Sequence, residues 1–95
     1  MSAGRIETYL HSDSTTPNKG GCMVEVCCST DFAAKTDIFI EFCKFLVRRC
    51  FAFGIKDPAA FVETNELLLP VLQQKKELEE AIRESVTIRR IAMWR

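Results

Sequence analysis

Three stretches of the chain alternate in polarity at every second residue, and the segments between the last two repeat at three and four. The first period is that of a strand with one covered face, the second that of an amphipathic helix. Near the amino terminus Ile6, Thr8 and Leu10 alternate with Glu7, Tyr9 and His11, which predicts a strand over about residues 4–11. A second strand over about 21–28 puts Cys22, Val24, Val26 and Cys28 on one face and Met23, Glu25 and Cys27 on the other. The polar stretch between them, with Pro17, Asn18, Gly20 and Gly21, reads as a long hairpin loop and is expected to be mobile. Branched residues dominate a third strand at about 86–94, where Val86, Ile88, Arg90, Ala92 and Trp94 oppose Thr87, Arg89, Ile91 and Met93.

Helical periodicity fills the interval. Phe39, Phe42, Cys43, Leu46, Val47, Cys50 and Phe53 form one broad stripe of a helix predicted at 36–53. Thr36 caps it, Asp37 and the pair Arg48 and Arg49 match the dipole at either end, and Gly54 suits a left-handed stop. Asp57 and Pro58 open a short helix to about residue 62. Residues 63–69 stay open between helix and loop, because Pro70 disfavours helix at Leu69. Leu72, Lys75, Leu78, Ala81 and Ile82 then trace a helix over about 71–84, whose charge run allows a Lys76–Glu80 pair. These elements predict an α+β fold, a three-stranded antiparallel sheet with helices on one face. Tyr9, Ile91 and Met93, with Trp94 or Met23 as further candidates, are expected on the other face. That is more apolar surface than a monomer of this size leaves in water.

Composition narrows the function. Ninety-five residues make one domain, and 13 basic against 13 acidic residues give no net charge, so a protein partner is favoured over nucleic acid. No apolar run spans a bilayer and residues 1–7 lack the regions of a signal peptide, so a cytoplasmic chain is expected. Five cysteines lie mostly in apolar periodic segments and read as reduced, buried thiols. A zinc site built on Cys22, Cys27 and Cys28 is the sharper alternative, but adjacent strand cysteines point to opposite faces and lack the usual spacer. His11 beside Ser12 and Asp13 has no nucleophile elbow and reads as a solvated loop histidine. One of Arg89 and Arg90 is expected to pair with Glu7 or Glu25 across the sheet.

The most informative stretch is Cys27 to Thr36, CCSTDFAAKT, where the second strand ends. It sets Asp31 and Phe32 side by side at an edge, ahead of the next helix. On composition alone this pair is a helix-capping acid and a core aromatic; the alternative is a pair that reaches into a partner. TDFAAKTDIF resembles the TDF(V/A)A(K/R) signature of the elongation factor Ts family, nucleotide exchange factors of elongation factor Tu. GRIETYLHSD (4–13) and GGCMVEVCCSTDF (20–32) are similar to that family's first two core strands. ELEEAIRESVTIRRIAMW (77–94) is similar to its last helix and third strand, with their ENxxIRR pattern. The departures are Cys27 in place of the usual Asn, Ala33 where Val is commoner, and Ser85 in place of the Asn of ENxxIRR.

The resemblance implies a specific mechanism. In the family the Phe enters a pocket between helices of the elongation factor Tu nucleotide domain, and the adjacent acid disturbs the magnesium site. Carried over, Thr30, Asp31, Phe32 and Ala33 bind the partner, with Phe32 as anchor and Asp31 as electrostatic lever. Ile82 lies where a late helix also touches the partner, in a position that equally suits a core Ile, and Arg83 replaces a residue that is often small. The implied function is release of GDP in translation elongation, without catalytic residues, covalent chemistry, cofactor or metal. Family members usually add an amino-terminal helical module and often a second core repeat, so residues 1–95 are expected to be one core half standing alone. A homodimer is expected to restore the pair. The alternative is a decoy, inhibitor or recruiting subunit that binds elongation factor Tu without exchange. A bacterial cytoplasm is the expected location, or a host cytoplasm for a virus-encoded copy; no membrane or direct nucleic-acid contact is expected.

Overall fold

The sheet lies against a single helical layer in the computed structural model, which describes residues 3–95; residues 1 and 2, where the stretch read against a signal peptide begins, lie outside the described residues. In chain order the elements are β1 (Ala3–His11), β2 (Gly20–Cys28), α1 (Asp31–Ala34), α2 (Asp37–Phe53), α3 (Leu69–Ile82) and β3 (Thr87–Trp94). Two 3-10 turns, Pro58–Ala60 and Glu66–Leu68, join α2 to α3. The strands are antiparallel in the order β1-β2-β3, so β2 is central, and the chain is α+β as its periodicities predict.

The core follows from the β2 alternation. Cys22, Val24, Val26 and Cys28 are buried beneath the helices, while Met23 on the opposite face is exposed. α2 crosses β1 and β2 and packs on α3, burying Phe39, Phe42, Cys43, Leu46, Val47 and Cys50. Each large side chain so removed from water stabilises by about 1.5–3 kcal/mol. Thr36 Oγ1 accepts the Phe39 N–H at 3.3 Å to start α2. Gly54 ends it at φ 67°, where a side chain would be strained. All five cysteines are buried and unpaired as thiols. Burial pushes the Cys43 and Cys50 thiols up to about 12. Among the described residues no three His, Cys, Asp or Glu side chains are grouped to hold a metal, and no helix is long and apolar enough to cross a membrane.

Three details differ from the sequence expectation. First, β3 carries a bulge opposite Glu25 and Val26: Glu25 pairs with Arg90 but Val26 pairs with Ile88. The extra residue inverts the alternation, so Ile88 and Ile91, of opposite parity, both face the helices while Arg89 and Arg90 both reach solvent. Ile91 and Met93 therefore pack against the core rather than on the open face, and so does Tyr9, whose register on β1 pairs it with the buried Cys22. The open face instead exposes Ile6, Leu10, Met23 and Trp94. Second, the segment predicted as helix 58–62 closes as one 3-10 turn, capped by Asp57 Oδ1 accepting from Ala59 N–H at 2.9 Å. The third helix starts earlier, at Leu69, because Pro70 falls in its first turn, where no N–H is needed. Its ion pair is Lys75–Glu79 at 3.5 Å, not Lys76–Glu80. Third, the hairpin loop is tied internally. Asp13 Oδ1 accepts from Thr15 N–H at 2.9 Å and Thr16 N–H at 2.6 Å, and Lys19 Nζ donates to Oδ2 at 2.8 Å.

Candidate functional site: the junction of β2 and α1

β2 leaves the sheet at Cys28, and two residues later the chain turns into α1, a helix of four residues. Thr30 is its N-cap: Oγ1 accepts the Ala33 N–H at 3.2 Å. At the other end Thr36 Oγ1 donates to the Ala33 carbonyl at 2.8 Å and caps α2, so one hydroxyl links the two helices. Successive helical residues turn by about 100°. With Ala33 and Ala34 turned onto the core, at 4% and 8% exposure, Asp31 and Phe32 must face away. Phe32 is 86% exposed, the most exposed large apolar side chain described. Methyl groups at 33 and 34 let so short a helix lie against the sheet.

Glu84, in the turn between α3 and β3, holds this junction from 54 and 55 residues away. Its Oε1 accepts the Ser29 N–H at 2.9 Å and the Thr30 N–H at 3.1 Å, and Thr30 Oγ1 donates to Oε2 at 2.7 Å. The Thr30 hydroxyl, followed by these amides, holds the Glu84 carboxyl below its ordinary value. The Cys28 thiol donates to the Thr30 carbonyl at 3.3 Å, from beneath.

The predicted site residues thus separate into three kinds. Thr30 caps, Asp31 and Phe32 project, and Ala33 is buried under them. Ile82, at the end of α3, is partly buried and packs against the core. Glu84 was missed by sequence reasoning, for it is one of several acids in a polar helix end. Its signals are its place one residue after the helix stop and its position as the Glu of the ENxxIRR pattern, beside the Ser85 that replaces the Asn. Arg83, the stop, sits at φ 59°, the left-handed region that glycine adopts most readily.

Other candidates resolve as structure. Glu25 accepts from Arg90 Nε and Nη2 at 2.7 and 3.2 Å, and lies 3.7 Å from Arg89 Nε. Glu7 pairs with Arg5 at 2.7 Å. His11 is half-buried rather than solvated: its Nδ1 lies 2.9 Å from the Tyr9 hydroxyl and its ring centroid 5.1 Å from that of Phe51. A surface concavity of about 620 Å³ lies along α2 between Phe45, Arg49 and Phe53, on residues none of which belongs to the β2–α1 junction.

Fold and site together define a small α+β domain whose candidate site is a projecting acid and aromatic on a clamped helical turn, not a cleft. Comparison with known proteins shows what the chain is similar to. Elongation factor Ts of Frankia alni is 35% identical over 79 residues, 82% of this chain and 37% of the relative. That of Nautilia profundicola is 35% identical over 88 residues, 93% of this chain and 27% of the relative. That of Renibacterium salmoninarum is 37% identical over 79 residues, 83% and 28% respectively. No family model matches the chain. The chain is elongation factor Ts-like, related to one part of these proteins. It spans between 27% and 37% of the length of these three relatives.

Proposed function

We propose that the chain, as one elongation factor Ts-like core domain, binds the nucleotide domain of elongation factor Tu through the turn Thr30–Ala33 and promotes release of GDP. The observation that carries this reading is Phe32, 86% exposed at the tip of a turn that matches the family signature. Burying such a ring in a preformed pocket yields about 1.5–3 kcal/mol. If that energy is released mainly on the nucleotide-poor state, the partner's equilibrium shifts toward it. Reciprocity then requires nucleotide to weaken the complex by the same factor. Asp31, exposed beside the ring, brings a negative charge toward the partner's magnesium site, where it repels the carboxylate and phosphate oxygens that hold the ion. The scheme needs no covalent step and no cofactor. Thr30 caps the turn, Ala33 seats it on the core, and Ile82, partly buried at the end of α3, is the further candidate contact with the partner.

The test is release of labelled GDP from elongation factor Tu. Acceleration by the chain, abolished in F32A, is the expected result. Binding without acceleration selects a decoy, inhibitor or recruiting subunit, and no binding to elongation factor Tu overturns both. The open sheet face, with Ile6, Leu10 and Trp94 each more than half exposed, favours a second copy of the chain as its cover. A cytoplasmic setting is where such a partner would be met.

A further inference from the structure

A four-residue helix cannot hold its own shape. Fixing the first turn costs several backbone dihedrals for one hydrogen bond, and helices far longer than α1 are marginal in water. Its direction must therefore come from what grips its ends. The carboxyl end is shared with α2 through Thr36. At the amino end, Ser29 and Thr30 lie past the last paired residue of β2, so among the described residues their N–H groups have no ladder partner. Glu84 takes both with one oxygen, and with the other takes the Thr30 hydroxyl proton. This second contact sets the hydroxyl rotor. With its proton turned to Glu84, Thr30 Oγ1 offers a lone pair to the Ala33 N–H, which is the cap of α1.

We propose that Glu84 is a positioning residue for the projecting pair: it fixes the direction in which α1 presents Asp31 and Phe32 while making no contact with the partner itself. The inference rests on the proposed reading of that turn as the partner-binding element. It concerns one carboxylate reaching across the fold, from the α3–β3 turn to the β2–α1 junction. The three contacts distinguish the substitutions. Gln keeps an oxygen for the two amides, and its amide nitrogen faces a hydroxyl that can accept as well as donate, so E84Q retains most of the grip. Asp is one methylene short, and Ala removes every contact. The carboxylate is at the surface, so removing it leaves the core packing untouched.

Two arms test this. In the free chain, backbone amide order parameters of residues 30–34 are expected to fall in E84A from about 0.85 to below about 0.6. They should stay near wild type in E84Q, with the rest of the sheet unchanged in both. Unaltered order in E84A overturns the inference. In the second arm, affinity for elongation factor Tu is expected to drop about tenfold in E84A and to recover in E84Q, with no further loss when E84A is added to the double variant D31A/F32A. Additive losses mean that Glu84 touches the partner directly, which also overturns it. If the wild-type chain fails to bind elongation factor Tu, the proposed function falls, and the order parameters alone decide the role of Glu84. Should E84A not fold, E84D, which keeps the charge and loses the reach, is read in the same two ways.

Discussion

Phe32 and Leu46 are both large apolar residues on helices, yet one is 86% exposed and the other wholly buried. Substituting each with alanine should separate binding from stability. Phe32→Ala is expected to change unfolding free energy by less than about 0.5 kcal/mol, as surface substitutions do. Leu46→Ala should cost about 2–5 kcal/mol through lost burial and a residual cavity. Urea midpoints check both, and a large loss in Phe32→Ala would mean that the ring packs on its own domain. The buried thiols make a second residue-scale prediction. Cys43 and Cys50 stay protonated in the fold up to about 12, whereas in the unfolded chain they ionise at the ordinary thiol value, near 8.5. Above that value the unfolded state holds fewer protons, so stability is intact below it and declines as pH rises toward 12. The slope is at most about 1.4 kcal/mol per pH unit for each thiol. Denaturation midpoints between neutral pH and pH near 10.5 should show the decline, and Cys43→Ala should reduce it.

At the scale of elements, the α3–β3 connection combines a strained stop with two carboxylate grips. Arg83 adopts φ 59° and its N–H donates to the Glu79 carbonyl at 2.9 Å. Glu79 Oε2 then accepts the Val86 N–H at 2.8 Å, and Glu84 holds the β2–α1 junction. Glycine adopts the left-handed conformation without the cost of about 1 kcal/mol that a side chain incurs. Arg83→Gly is therefore expected to raise stability by roughly 0.5–1 kcal/mol, offset in part by a more flexible unfolded chain. A thermal melt that moves upward supports this, and one that falls by several degrees argues against it. The bulge in β3 is the element that pattern reading could not recover. Strict alternation groups Ile88 with Arg90, whereas one extra residue reunites Ile88 with Ile91 and Met93 above the core and sends Arg89 and Arg90 to Glu25. Helix starts were misjudged at Pro70 for a related reason: proline forbids helix before it only where its missing N–H and ring have a preceding turn to disrupt.

Over the whole molecule, one face of the sheet is sealed and the other is open. Leu10, Trp94 and Ile6 are 66%, 60% and 58% exposed on the open side, flanked by Glu25 with Arg89 and Arg90. A second copy meeting this face would bury those side chains and enclose the Glu25–Arg90 pair that lies beside Ile6. Sedimentation is expected to give the mass of two chains that falls to one on dilution, and Leu10→Glu to give one chain throughout. A single-chain mass for the native protein at every concentration would refute the dimer. Dimerisation leaves the proposed contact free, since Phe32 stands on the helix-side junction and not on the sheet face.

How much of this was readable beforehand follows from the range of each interaction. Strand and helix periods, the cap at Thr36 and the stop at Gly54 depend on neighbours within a few residues, so the order of elements and the burial of Cys22, Val24, Val26 and Cys28 were legible in the chain itself. Asp31 and Phe32 were legible as a candidate pair, but not the helical turn that carries them, because four residues are too few to display a period. Which face Tyr9 occupies, where β3 slips by one residue, and that Glu84 reaches Ser29 and Thr30 were decided only in three dimensions. Those outcomes join groups as far as 55 residues apart, and no local pattern records which distant donor an acid will meet. Sequence alone therefore determined which side chains prefer water or the core; packing determined the direction in which the exposed ones point.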